Sequence, residues 1–147
     1  MEYLSNLPIR LKELAFYHED IKSDALGKEI GVSGSTVRAW LRGELTLNLA
    51  NAVKLADFFG CSLDYLAGRS SVYEEVRAHS LPPFYEQVRK IMKSAGVTRY
   101  RVTADTIIKD SYFTNWANGA TPKLTSVCAL ADYLNVSLDY LVGRTDY

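Results

Sequence analysis

The sequence predicts an all-α fold of two tandem five-helix units, residues 1–70 and 82–147, joined by a short helical linker over 71–81. Three observations predict it. First, SLDYLAGRS at 62–70 returns as SLDYLVGRT at 137–145, with seven of nine letters identical. Second, the match extends outward without breaking the apolar pattern. LADFFGCSLDYLAGR (55–69) lies over LADYLNVSLDYLVGR (130–144), Trp40 and Gly43 over Trp116 and Gly119, Val37 over Phe113, Leu26 over Val102, and Leu11 and Leu14 over Val88 and Ile91. The register drifts only in stretches of small or charged residues, where loops absorb insertions. Third, helix starts and stops recur at matching places in the two copies.

In the first copy, a helix over 7–18 begins beside Pro8 and sets Leu11 and Leu14 at helical spacing. Ser23–Ile30 follows and is broken by Gly31. Ser33 is the N-cap of a third helix through Arg42, closed by Gly43. Leu49–Phe59 ends at Gly60, and Ser62 caps a short fifth helix with Leu63 and Leu66 inward and Gly68 at its stop. The second copy repeats this over 82–95, 98–104, 110–118, 124–134 and 137–142. In the linker, Ser71 and Glu74 stand at capping-box spacing, which predicts the connecting helix.

Seventeen basic and 17 acidic side chains cancel, so no global field draws the chain to a polyanion. Dividing it near Val72 separates no large charge. Nucleic-acid binding would need charges sorted onto one face. No apolar run approaches the roughly 18 residues of a membrane span, and MEYLSNLPIR lacks the order of a signal peptide. A cytoplasmic protein without a membrane partner is expected. Cys61 lies over Val136 and Cys128 over Val53, so both read as buried filler thiols. His18 lies over Ser94, and His79 falls in the linker. Neither supplies a metal cluster or a triad spacing. Glycine-rich phosphate loops and paired acidic motifs are also missing from the sequence. Neither an enzyme, nor a cofactor, nor a small-molecule ligand is expected.

Several residues read as structural. Trp40 and Trp116 are core anchors, and Phe58–Phe59 and Tyr133–Leu134 pack the fourth helices. Tyr65 and Tyr140 pack the closing helices or form an interface. Arg69 and Arg144 read as solvated ends.

The third helix carries the functional signal. Two short helices with a tight turn, the second starting Ser-Gly-Ser-Thr-Val-Arg-Ala-Trp, are the parts of a helix-turn-helix. Val37 and Trp40 share an inward face, leaving Ser35, Arg38, Ala39 and Arg42 outward. In the second copy Phe113 and Trp116 go inward, leaving Ser111, Thr114, Asn115 and Asn118 outward. Small polar side chains let a helix sit deep in the major groove, and Asn can pair bidentately with adenine. Helix N-termini suit phosphate oxygens.

KEIGVSGSTVRAWLRGE followed by LANAVKLADFFGCSLDYLAGR resembles the phage-repressor/Cro type of helix-turn-helix, also called the xenobiotic-response-element family. VTADTIIKDSYFTNWANGATPKLTSVCALADYLNVSLDYLVGR is a closer match, through its W-x-x-G-x-x-P-x-L stretch from Trp116 to Leu124. The resemblance covers residues 7–69 and 82–144. It implies two lambda-repressor-like domains that bind double-stranded DNA. The shared tail is specific for the fold and says less about DNA, because its residues build the core.

Carried over by that resemblance, the base-reading positions are Gly34, Ser35, Thr36, Arg38 and Ala39, then Asp110, Ser111, Tyr112, Thr114 and Asn115. Phosphate-contacting positions are Lys22, Ser23 and Asp24, then Thr98, Arg99, Tyr100 and Arg101. Gly43 and Lys123 lie near a loop that often touches backbone. Ser33, Arg42 and Lys109 complete the expected DNA-binding set. The departures are Gly34 and Asp110 where Gln is common, Asp24 facing phosphate, and Ile107 where a Gly before the turn is common.

The function expected is a sequence-specific DNA-binding transcriptional regulator, a repressor, reading DNA with the third helix of one or both copies. If only one copy reads, the charge balance favours the second: Arg99, Arg101, Lys109 and Lys123 face only Asp105 and Asp110. The first sets Lys22, Lys28, Arg38 and Arg42 against Asp24, Glu29 and Glu44. Zero net charge and an Asp at a reading position support the alternative, a protein-interaction module or anti-repressor. Two linked copies could meet half-sites about 34 Å apart within one chain, or the chain could homodimerise.

Overall fold

The structure, a computed structural model, describes residues 3–76 and 80–146. The chain forms two compact units, Met1–Arg77 and Ala78–Tyr147. The first contains α1 (Leu7–Tyr17), α2 (Ser23–Ile30), α3 (Gly34–Leu41), α4 (Leu49–Phe59) and α5 (Leu63–Leu66). The second contains α6 (Phe84–Ala95), α7 (Arg99–Asp105), α8 (Asp110–Ala117), α9 (Leu124–Leu134) and α10 (Leu138–Val142). Among the described residues the fold is all-helical, as expected, with one isolated β-bridge.

Each unit is assembled the same way. In the first, α1 packs on α3 and α5, α2 packs on α3 and α4, and α4 meets α5. Leu11, Val37, Trp40, Leu55, Leu63 and Leu66 fill the centre. In the second, α6 packs on α8 and α10, α7 packs on α8, and α9 meets α10 around Val88, Phe113, Trp116, Leu130, Leu138 and Leu141. His18 takes no polar role: its ring sits 4.7 Å from Phe58 and 5.7 Å from Phe59. Cys61 and Cys128 are buried in the cores of their units.

The repeated phrase is a closing device. Ser62 and Ser137 accept the amide N–H of Tyr65 and Tyr140, each at 3.0 Å, capping α5 and α10. Gly68 and Gly143 then turn left-handed, with φ of 79° and 89°. A Cβ at Gly143 would lie 2.7 Å from Pro82 Cδ, so only glycine fits both the turn and the contact. After the turn, the N–H of Arg144 donates to the carbonyl of Asp139 (2.7 Å), and that of Arg69 to Asp64 (2.8 Å). The first helix of each unit also reaches this end. Arg10 donates to the carbonyl of Tyr65 and stacks over its ring, and Gln87 Nε2 donates to the carbonyl of Tyr140 at 3.1 Å.

This geometry corrects one expectation. Arg144 is not a solvated end: its side chain is fully buried against the carboxylate of Asp139, itself only 5% exposed. Arg69 pairs with Asp64 in the same way, at 23% and 15% exposure. The left-handed glycine folds the arginine back over the helix whose aspartate it meets.

The linker corrects another. Ser71–Glu74 spacing suggested a helix, but 71–76 is not helical. The segment bends at 71–72 and then pairs with the α4–α5 turn: Ser62 N–H donates to Glu74 O (3.0 Å) and Val76 N–H to Gly60 O (3.3 Å). Val76 is buried and the ring of Tyr73 meets Tyr65 edge-on. Backbone groups left unpaired at that turn outcompete the local capping signal. Residues 80–83 are not helical either, so α6 starts later than expected, at Phe84. Residues 77–79 of the expected linker helix lie outside the described residues.

Candidate nucleic-acid interface

The third helix of each unit presents a polar face because its apolar residues repeat every three positions. In α3, Val37 and Trp40 are buried, and Ser35, Arg38 and Arg42 are exposed. Ser33 caps the helix by accepting Thr36 N–H at 3.1 Å, and Ser33 Oγ lies 3.0 Å from Thr36 Oγ1. Thr36 is thereby half-buried. Ala39 is a correction: expected outward, it is 8% exposed. At about 100° per residue it falls at the rim of the buried arc, where a single methyl is covered and a longer side chain would emerge. The chain also folds back there, with Glu44 N–H on Ala39 O at 2.9 Å.

In α8, Phe113 and Trp116 are buried, and Ser111, Thr114, Asn115 and Asn118 are exposed. Trp116 meets Phe84 and Phe113 edge-on, each with ring centroids 5.2 Å apart, which fixes the roll of the helix. Tyr112 is half-buried beside Trp116.

The two units bolt the second helix to the third with ion pairs of opposite polarity. In the first, Asp24 at the start of α2 meets Arg38 of α3 at 3.2 Å. Asp24 approaches so closely that a Cβ on Gly34 would lie 3.1 Å from its Cα and 1.7 Å from its Oδ1. Asp24 therefore faces a partner, and Gly34 replaces the usual longer residue because there is no room for one. In the second unit the base comes from the second helix. Arg99 Nε meets Asp110 Oδ1 at 2.7 Å, and Arg99 Nη2 donates to Asp110 O (2.7 Å) and Thr114 Oγ1 (2.6 Å). Its guanidinium also lies over the Phe113 ring. Arg99 thus positions the start of α8.

The remaining cations divide the units. Lys22 pairs with Asp20 at 2.6 Å. Arg42 forms two bonds to Glu44, at 2.9 and 3.0 Å, which raise its own pKa and hold the Glu44 carboxyl below its ordinary value. Every site cation expected in the first unit therefore has an acid beside it. In the second, Arg101 lies 3.9 Å from Asp105, which accepts the phenol of Tyr133 at 2.6 Å and so raises the Tyr133 pKa. Lys109 at the N-cap of α8 and Lys123 at the N-cap of α9 are exposed and have no acid partner among the described residues. Thr98 caps α7 by accepting Arg101 N–H at 3.2 Å, and Tyr100 is exposed. Ser23, the first residue of α2, is half-buried.

The turns also differ. Gly31 is left-handed at φ 86°. The second turn contains no such residue: Thr106 is extended, its hydroxyl donates to Val102 O (2.8 Å), and it accepts Ile108 N–H (3.0 Å). That threonine makes a glycine at Ile107 unnecessary. Three residues outside the expected set, Arg89, Lys90 and Lys93 of α6, line a groove together with Arg99. Lys93 neighbours Arg89 (i, i+4) and Lys90 (i, i+3) on the surface of α6, and that spacing was the available signal.

No curated protein and no solved structure matches the chain. Residues 19–66, which span α2 to α5 of the first unit, match the family model for helix-turn-helix, a family of DNA-binding regulators.

Proposed function

We propose that the protein is a sequence-specific DNA-binding transcriptional repressor built from a duplicated domain, 1–70 and 82–147, with the second unit the principal reader. The observation behind this is the polar face of α8, Ser111, Thr114, Asn115 and Asn118, flanked by the unpaired Lys109 and Lys123. Small polar groups enter the major groove, an Asn can pair with adenine, and flanking lysines contact phosphate. Thr98, Arg101 and Tyr100 at the start of α7 lie toward the adjacent backbone in this reading. Repression follows from occupancy: a domain seated on duplex excludes other proteins from it. The protein acts in the cytoplasm, as a single chain on unlike half-sites or as a homodimer.

A second reading applies to the first unit. Its site cations are paired internally, and Ile9, Phe16 and Tyr17 of α1 are exposed at 59%, 63% and 83%. Those features favour a protein-contacting role for that unit, as in an anti-repressor.

Selection of bound duplexes from a random library with the intact chain separates these outcomes. An enriched motif with two unlike half-sites assigns reading to both units. One short half-site assigns it to one unit, and no enrichment at low or moderate salt rejects the DNA reading. Within the same reading, Asp110→Asn removes a negative charge from the start of α8 and leaves the Arg99 charge unneutralised, while the bonds of Arg99 to the Asp110 carbonyl and Thr114 remain. Affinity for the selected duplex is expected to rise about three- to tenfold at constant salt. A fall in affinity with an unchanged melting curve would show that the pair itself shapes the reading surface.

A further inference from the structure

Both units have an open groove between the first helix and the helix-turn-helix, of similar size and different chemistry. In the first unit it encloses about 490 Å³ and is lined by Lys12, Glu13, Phe16, Asp20, Lys22 and Leu41, among others. Two bases there balance two acids. In the second it encloses about 540 Å³ and is lined by Tyr85, Arg89, Lys90, Lys93, Arg99 and Phe113, with Glu86 its one acid. By the alignment of the copies, Arg89 replaces Lys12, Lys90 replaces Glu13, and Lys93 replaces Phe16. One copy has exchanged an acid and an aromatic for two lysines while keeping the cavity.

Arg89, Lys90 and Lys93 are exposed and carry no ion pair among the described residues. Arg89 lies 5.8 Å from the ring of Tyr85, which orients it along the groove wall. With Glu86 the one acid in the groove, these like charges repel one another, so their clustering favours the entry of an anion. Arg99 also lines the groove and is bonded to Asp110 and Thr114 of α8.

We infer that this groove is a second phosphate-binding surface, which takes the DNA backbone beyond the stretch facing the helix-turn-helix. The inference rests on the DNA-binding reading of α8. Continuity favours a nucleic-acid backbone over an acidic protein: Arg99, the first residue of α7, lines the same groove as the three α6 cations, so a strand seated at the start of α7 would continue along them. They add affinity and no sequence preference, because phosphates are the same in every sequence.

The test uses the intact chain, the duplex it selects and a scrambled duplex, each at three salt concentrations. The triple variant R89A/K90A/K93A is expected to weaken binding to both duplexes by a common factor of about tenfold or more. The slope of log affinity against log salt should become shallower by about 2 to 3, with the selected motif unchanged. Glu86→Lys is expected to do the reverse, steepening the slope by about one. Lys12→Ala in the first groove should leave both unchanged. If wild-type protein binds and the triple variant keeps its affinity and slope, the groove is not a phosphate surface. The same conclusion follows if only the selected duplex is affected, or if the groove binds poly-glutamate while DNA affinity is unaltered. If the wild type binds no duplex, the DNA reading falls and the inference falls with it. Unchanged far-UV circular dichroism verifies the fold of each variant.

Discussion

Asp139→Ala is expected to destabilise the second unit by about 3–5 kcal/mol. The partner, Arg144, has a fully buried side chain, so truncating the carboxylate removes its counter-charge in the core, with little solvent to screen it. Asp64→Ala in the first unit makes the equivalent change where Arg69 is 23% exposed, and is expected to cost less, about 1–3 kcal/mol. Replacing both partners, as D139L/R144M, should recover most of the loss, because a buried pair contributes little net stability while a broken one costs a great deal. Each unit contains one tryptophan, Trp40 and Trp116. In a Trp40→Phe background, Trp116 fluorescence therefore follows unfolding of the second unit alone during a urea titration. This avoids treating a two-unit chain as a single transition. A loss under about 1 kcal/mol for Asp139→Ala would show that the closing pair is not a structural requirement.

Trp116→Ala and Asn115→Ala are neighbouring changes on one helix with opposite expected outcomes. Trp116 is 7% exposed and wedged between Phe84 and Phe113. Its removal is expected to cost about 3–5 kcal/mol and to release the roll of α8. DNA binding should then be lost as a consequence of local unfolding. Asn115 is exposed, so its truncation should change stability by less than about 0.5 kcal/mol. Discrimination between the selected and a scrambled duplex should nonetheless fall by about 1–3 kcal/mol, the range for one bidentate base contact. Thermal melting by circular dichroism and parallel duplex titrations separate the two effects. If Asn115→Ala keeps full discrimination, Asn115 does not read a base.

Much of the fold was legible because its signals are local. Helix bounds follow caps and stops that act within a turn: Ser33, Ser62 and Ser137 accept the N–H three residues on, and Gly31 and Gly60 end their helices left-handed. The buried faces follow from apolar spacing, and the two copies check one another wherever Val37 meets Phe113 or Trp40 meets Trp116. All-helical architecture and the inward and outward faces of α8 were determined by the sequence by itself, since a helix period needs no knowledge of what it packs against.

What only the tertiary structure decided is which groups meet across elements. Arg99 finds Asp110 eleven residues away, Arg38 finds Asp24 fourteen away, and Tyr133 finds Asp105 twenty-eight away. A charge count over the sequence favours the second unit as a whole, but only the structure shows which cations are paired and separates Arg38 and Arg42 from Lys109 and Lys123. Burial of Ala39 and Arg144, and the pairing of 74–76 with the α4–α5 turn, have the same origin. Each depends on what a neighbouring element covers or leaves unsatisfied, and burial and electrostatics act through space, where chain spacing does not reach.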